Sequence, residues 1–147
     1  MSQQNKMLIR RAVEEVWNRG NYAVLDEIVA RDFVIHAATP GDEIHGPEGA
    51  ERFLVMLRAA FPDIHFTIDD QFADGDRVAT RWTARATHTG EFQGIPPTGK
   101  QISLTAIDID RIADGKVVEC WTNSDDLGLL QQLGVVPTPG PASGVAS

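Results

Sequence analysis

The segment CWTNSDD, residues 120 to 126, sets the indole of Trp121, the amide of Asn123 and the carboxyl of Asp125 at alternate positions, so an extended chain turns all three to one side. An acid beside an aromatic wall suits proton transfer. Apolar surroundings raise a carboxyl pKa from its reference value near ~4 toward neutrality, where it serves as both base and acid. Asn123, between them, has an amide that can orient a carbonyl. Asp125 and Asp126 also stand directly before LGLLQQL, where either can cap a helix; capping by Asp126 leaves Asp125 free. Glu119 shares the parity of Trp121, and an ionised Glu there requires a partner, a bulge or a partly open face.

Two histidines extend the candidate set. His36 closes the short run DFVIH, where a neutral imidazole bonds a substrate oxygen or a carboxyl, or else sits satisfied in a core. His88 ends the face that carries Trp82, which places it at a pocket rim or in solvent. His36, His45, His65 and His88 show no HExxH or His-x3-His spacing, so no metal site is expected. Cys120 is the only cysteine, which excludes an intrachain disulfide and a Cys-based zinc cluster and leaves a small buried hydrophobe.

GIPPTGK, residues 94 to 100, imitates a nucleotide-binding P-loop and fails its chemistry. Gln101 stands where magnesium needs a hydroxyl, Pro96 and Pro97 remove two N–H donors, and QISLTAIDID continues as a strand instead of a helix.

The elements that must position these groups follow from periodicity. Residues 4 to 19 gather Ile9, Val13, Val16 and Trp17 on one helical face up to Gly20. A shorter helix runs from a cap at Asn21 to about Ala30, and Pro47 opens a third that ends before Pro62. Residues 64 to 72 and 77 to 88 alternate as half-buried strands, the second with Val78, Thr80, Trp82, Ala84, Ala86 and His88 opposite Arg77, Arg81 and Arg85. Asp114-Gly115 joins the strands 101 to 112 and 116 to 123 as a tight hairpin. A final helix carries Leu127, Leu130 and Leu133, and residues 135 to 147 read as a flexible tail. The fold class is α+β with one domain over residues 1 to 134.

A chain of 147 residues with 42% hydrophobic content buries a sizeable core. Thirteen Lys and Arg against twenty-one Asp and Glu leave a formal charge of -8, which repels nucleic acid and anionic membranes. No signal-like or membrane-spanning apolar run is present in the sequence, so the cytoplasm is the expected location.

With GEFQGIPPTGK at 90 to 100, RIADGKVVECW at 111 to 121 and SDDLGLLQQLG at 124 to 134, the chain resembles the SnoaL-like polyketide cyclase family. DFVIH and GPEGAERF fit as well, and the likeness covers about residues 5 to 134. The resemblance implies a nuclear-transport-factor-2-like cone: one curved, mainly antiparallel sheet wrapped around N-terminal helices, enclosing a pocket and commonly dimeric through the outer sheet face. Ala84 and Ala86 would leave room for a ligand at one end of that pocket.

It also implies ring closure by an intramolecular aldol reaction without cofactor, on a hydrophobic, carbonyl-bearing small molecule. Asp125, on the Trp-x3-Asp motif, would be the catalytic acid–base, and His36, His88, Trp82, Trp121 and Asn123 would contact substrate. Trp17 and Tyr22 are pocket candidates by the same analogy. Cys120 departs from the pattern, since a histidine is common there. The alternatives are an isomerase or dehydratase on a related ligand, and a non-catalytic, dimeric binding module in which Asp125 only caps the helix.

Overall fold

The computed structural model describes residues 2–37 and 43–137. Helix α1 (Ser2–Arg11) continues without a break into a π-helical segment, Ala12–Asn18, which buries Val13 and Val16 along with Ile9. Gly20 then ends it at a φ of +70°, a conformation that costs glycine nothing. A 3₁₀ turn, Tyr22–Val24, leads into the single turn of α2 (Leu25–Ile28). The expected cap at Asn21 does not form, because its side chain makes no capping bond, and β1 (Val29–His36) takes over earlier than DFVIH suggests. Helix α3 (Gly46–Ala60) has Pro47 in its first turn, where the missing N–H costs no helical bond.

The remaining strands are β2 (Ile44–His45), β3 (His65–Asp74), β4 (Arg77–Thr87), β5 (Gln101–Ala113) and β6 (Lys116–Ser124), followed by α4 (Asp126–Leu133). They form one six-stranded sheet in the order β2-β1-β6-β5-β4-β3. All neighbours are antiparallel except β1 and β6, so the sheet is mixed but mainly antiparallel. Asp114 and Gly115 both have positive φ, 53° and 76°, the backbone that lets a two-residue turn follow the twist of β5 and β6.

The helices cover one face of the sheet. On that inner face β4 presents Val78, Thr80, Trp82, Ala84, Ala86 and the adjoining His88, and β5 presents Ile102, Ala106, Asp108, Asp110 and Ile112, all buried. The core falls into two clusters, and Trp17 packs against both. Trp17, Phe66 and Trp82 meet edge to face at centroid distances of 5.1 to 5.7 Å. Each such pair adds about 1 kcal/mol beyond area burial.

One irregularity decides which way β6 faces. The pairing shifts between Arg111 and Ile112, leaving an extra residue, Val118, in β6. Val117 and Cys120, three positions apart, are consequently both buried, where strict alternation would separate them. Beyond this bulge the even positions Cys120, Thr122 and Ser124 turn inward, and Glu119, Trp121 and Asn123 turn outward.

Candidate functional site

Between the helices and the sheet lies a cavity of about 680 Å³. Its walls are mainly apolar: Trp17 from the first helix, Leu54 and Leu57 from α3, Phe66 from β3, Trp82 from β4 and Leu129 from α4. Its polar groups converge on the sheet side, where Thr80, Asp108, Asp110, Cys120 and Thr122 all line it. Cross-strand register brings them together. Asp108 is paired with Thr80 of β4 and with Thr122 of β6, and Asp110 with Cys120. Such partners share one face with Cβ atoms about 5 Å apart.

Asp108 and Asp110 are 5% and 8% exposed, and neither is ion-paired among the described residues. Burial pushes Asp110 up to about 8, the neighbouring charge of Asp108 adds to the rise, and a hydrogen bond with Cys120 opposes it. Asp108 is raised by burial as well, but the Thr122 hydroxyl and the Trp82 indole oppose the shift. Two carboxyls this close in a dry cavity do not both ionise near neutrality. Asp110, raised to about 8, keeps its proton near neutrality, and the ionised form of Asp108 is the one that Thr122 and Trp82 favour. Burial, reinforced by Asp110 and Asp108, drives the Cys120 thiol well above its ordinary value, so it stays protonated.

Three polar atoms at this end have no hydrogen-bond partner among the described residues: Asp108 Oδ1, Thr80 Oγ1 and Trp82 Nε1. The Trp82 indole opposes the rise of Asp108 while its N–H makes no hydrogen bond among the described residues. Glu43 and Asp126 also border the cavity, whereas no Lys, Arg or His does among the described residues. No group of three His, Cys, Asp or Glu side chains is placed to hold a metal ion among the described residues.

Of the residues expected to form the site, Trp82 lines this cavity, as does Trp17. Asp125 does not. It is the exposed N-cap of α4, its Oδ1 accepting the Gly128 N–H at 3.0 Å, so the carboxyl is occupied by the helix end. Gly128 makes that cap possible, because a Cβ there would lie 2.2 Å from Asp125 Oδ2. Trp121 and Asn123 lie on the outer sheet face, for the bulge at Val118 reverses the parity by which they were placed beside a pocket. Trp121 stacks on His36 at 5.7 Å and lies under the Arg77 guanidinium at 5.1 Å.

His36 is on that same outer side. Its Nε2 pairs with Glu119 Oε2 at 2.7 Å, and Arg111 holds the other Glu119 oxygen at 3.1 and 3.2 Å. This answers the need of Glu119 for a partner, and the His36 bond, then Arg111, keeps its pKa low. His88 is fully buried, not at a rim. Its Nδ1 accepts the Thr98 N–H at 3.2 Å and tethers the GIPPTGK loop. Ala84 and Ala86 do not line the cavity; they are core residues in the cluster that contains Phe61 and Phe92. Lys100 reaches the last turn of α4 through Leu133 O at 3.5 Å.

Asp108 and Asp110 escaped sequence reading because IDID suggests Ile107 and Ile109 inside and the acids outside. The structure reverses this: Ile107 is 53% and Ile109 39% exposed. The usable signal was the phase of Ile102, Leu104 and Ala106, which continues through the two acids.

The SnoaL-like polyketide cyclase family profile matches residues 7–133. The aklanonic acid methyl ester cyclase DnrD of Streptomyces peucetius is 30% identical over 136 residues, 91% of this chain and 92% of its own. The nogalonic acid methyl ester cyclase of Streptomyces nogalater is 28% identical over 80% of this chain and 89% of its own. Among solved structures, IdmH of Streptomyces antibioticus, named for a proposed polyketide cyclase role, superposes with a TM-score of 0.78 at 40% identity, covering 90% of this chain and 99% of that one. AclR of Streptomyces galilaeus, named for a proposed hydroxylase role, gives 0.86 at 31% identity, covering 100% and 95%.

Proposed function

The chain belongs to the SnoaL-like polyketide cyclase family and is an enzyme of the cyclase or isomerase type, and from that premise we propose that it closes a ring in a neutral, hydrophobic polyketide by a cofactor-independent aldol reaction, with Asp108 as the proton shuttle. The observation that carries this reading is the buried carboxyl of Asp108, one oxygen unpartnered, facing an apolar cavity.

The Asp108 carboxylate removes a proton from the carbon alpha to a bound carbonyl. The resulting enolate carbon attacks a second carbonyl of the same molecule, forming the carbon–carbon bond while the π pair moves to oxygen. That alkoxide takes the proton back from Asp108, which restores the carboxylate with no net gain or loss of protons. Asp110, protonated up to about pH 8, keeps a second negative charge out of the cavity. A cavity bordered by acids and, among the described residues, by no base repels a free carboxylate ligand, which supports a substrate whose acid is masked, as in the methyl esters named for the relatives.

The outer sheet face supports a homodimer. Phe72, Ala79, Ile109 and Trp121 are successive cross-strand partners from β3 to β6, an apolar row on the outer face that Ile107, 53% exposed, adjoins.

The test is turnover of aklanonic acid methyl ester, followed by chromatography and mass spectrometry in buffer containing a chelator. The wild type yields an isomeric cyclised product, Asp108→Asn loses about 100-fold or more, and Asp125→Asn retains activity. A product with an added oxygen favours a hydroxylase role instead, and full activity in Asp108→Asn overturns the assignment.

A further inference from the structure

Proton removal by Asp108 accounts for only half of an enolisation. The negative charge that leaves the carbon arrives on the carbonyl oxygen, and in an apolar cavity that oxygen needs donors already in place. The inner face of β4 holds two that have nothing to bond. Thr80 Oγ1 and Trp82 Nε1 are both without partners among the described residues, on side chains 2% and 7% exposed, and both residues line the cavity. Leaving a buried donor without a bond destabilises the fold, so the pair stands at a cost in stability.

Their positions follow from the sheet. Thr80 is the direct cross-strand partner of Asp108, and Trp82 is two residues further along the same face, opposite Ala106. Ala106 has no side chain beyond Cβ, which leaves the indole edge uncovered on the strand that carries the acid. The indole ring itself cannot swing away, being fixed edge-on by Trp17 and Phe66.

Building on the assignment of Asp108 as base, we infer that Trp82 Nε1–H and Thr80 Oγ–H form the oxyanion site of this cavity, binding the enolate oxygen of the substrate as Asp108 takes up the proton. In the resting state the indole favours the Asp108 anion while its N–H remains without a hydrogen bond. Once Asp108 is protonated that attraction vanishes, and the same N–H turns its bond to the new anion on the substrate. The ligand class this selects is an enolisable carbonyl compound, above all a β-dicarbonyl, whose stabilised enolate matches two neutral donors beside a protonated acid.

The probe is alizarin, a planar tricyclic phenol whose colour reports its ionisation and whose phenolate imitates such an enolate. At neutral pH the wild type binds it as the phenolate, and Trp82→Phe and Thr80→Val each lower the bound phenolate-to-phenol ratio by about tenfold or more while circular dichroism and melting stay native. On a turning-over ester the same variants lower kcat by about 100-fold with KM within a few-fold, the pattern of a donor used mainly in the transition state. Thr80→Ser, which keeps the hydroxyl, restores the phenolate. The dye readout requires no catalysis, so it stands or falls separately from the role of Asp108 as base. Binding of alizarin as neutral phenol by the wild type, failure to bind it, or unchanged phenolate in both variants overturns the inference.

Discussion

Replacing Asp110 with Asn tests whether the cavity is as dry as the geometry requires. The carboxyl is raised from 3.8 to about 8 in the folded protein, chiefly by burial. A carboxyl whose pKa is higher folded than unfolded binds its proton more tightly in the native state, so its contribution is full below about pH 4 and is lost as pH rises toward 8. Four units at about 1.4 kcal/mol each give a ceiling of about 6 kcal/mol, reduced by coupling to Asp108 and by water entering the cavity to roughly half. Groups with lowered pKa values, such as Glu119 and Asp63, act in the opposite sense, losing their contribution as pH falls through their folded values, and so leave the window from pH 5 to 8 to the buried acids. The assay is urea unfolding followed by tryptophan fluorescence at steps from pH 5 to 9. The wild type should lose about 3 kcal/mol across that range, and Asp110→Asn, which has no proton to release, should lose much less. Parallel curves for the two proteins would refute the reasoning, because they would mean a hydrated Asp110 and no dry pair.

Asp125→Ala and Gly128→Ala each should cost about 1 kcal/mol in stability, and the double variant little more than either alone, since both break the same cap; thermal melts of the three proteins check this. Ile109→Glu should convert a dimer to a monomer in light scattering by placing a charge in the apolar row of the outer face, while Glu91, exposed on the loop before β5, tolerates replacement by Gln without change.

Much of the architecture was legible because it rests on local rules. The apolar stripe to Gly20, Pro47 at a helix start, the Asp114-Gly115 turn and the alternation of β4 each have one stable local solution. The placement of the site was not legible, for two physical reasons. A single extra residue at Val118 reverses every side chain that follows it in β6, and no pattern in KVVECW reports it. In β5 the burial of Asp108 and Asp110 opposes the hydrophobic alternation of IDID, so local patterning points to the wrong face. Register with Thr80 and Trp82 decides the matter, and register is a property of the whole sheet. The cap at Asp125, by contrast, was legible as one of two uses of that carboxyl, because a helix start directly after it offers a local partner.

The most direct test is hydrogen exchange at the alpha carbon of a β-keto ester too short to cyclise, followed by nuclear magnetic resonance in heavy water. The wild type and Asp125→Asn should exchange that hydrogen at the same accelerated rate, and Asp108→Asn should fall about 100-fold or more toward the uncatalysed rate. Exchange that persists in Asp108→Asn, or disappears in Asp125→Asn with its fold intact, would contradict the assignment of Asp108 as the base.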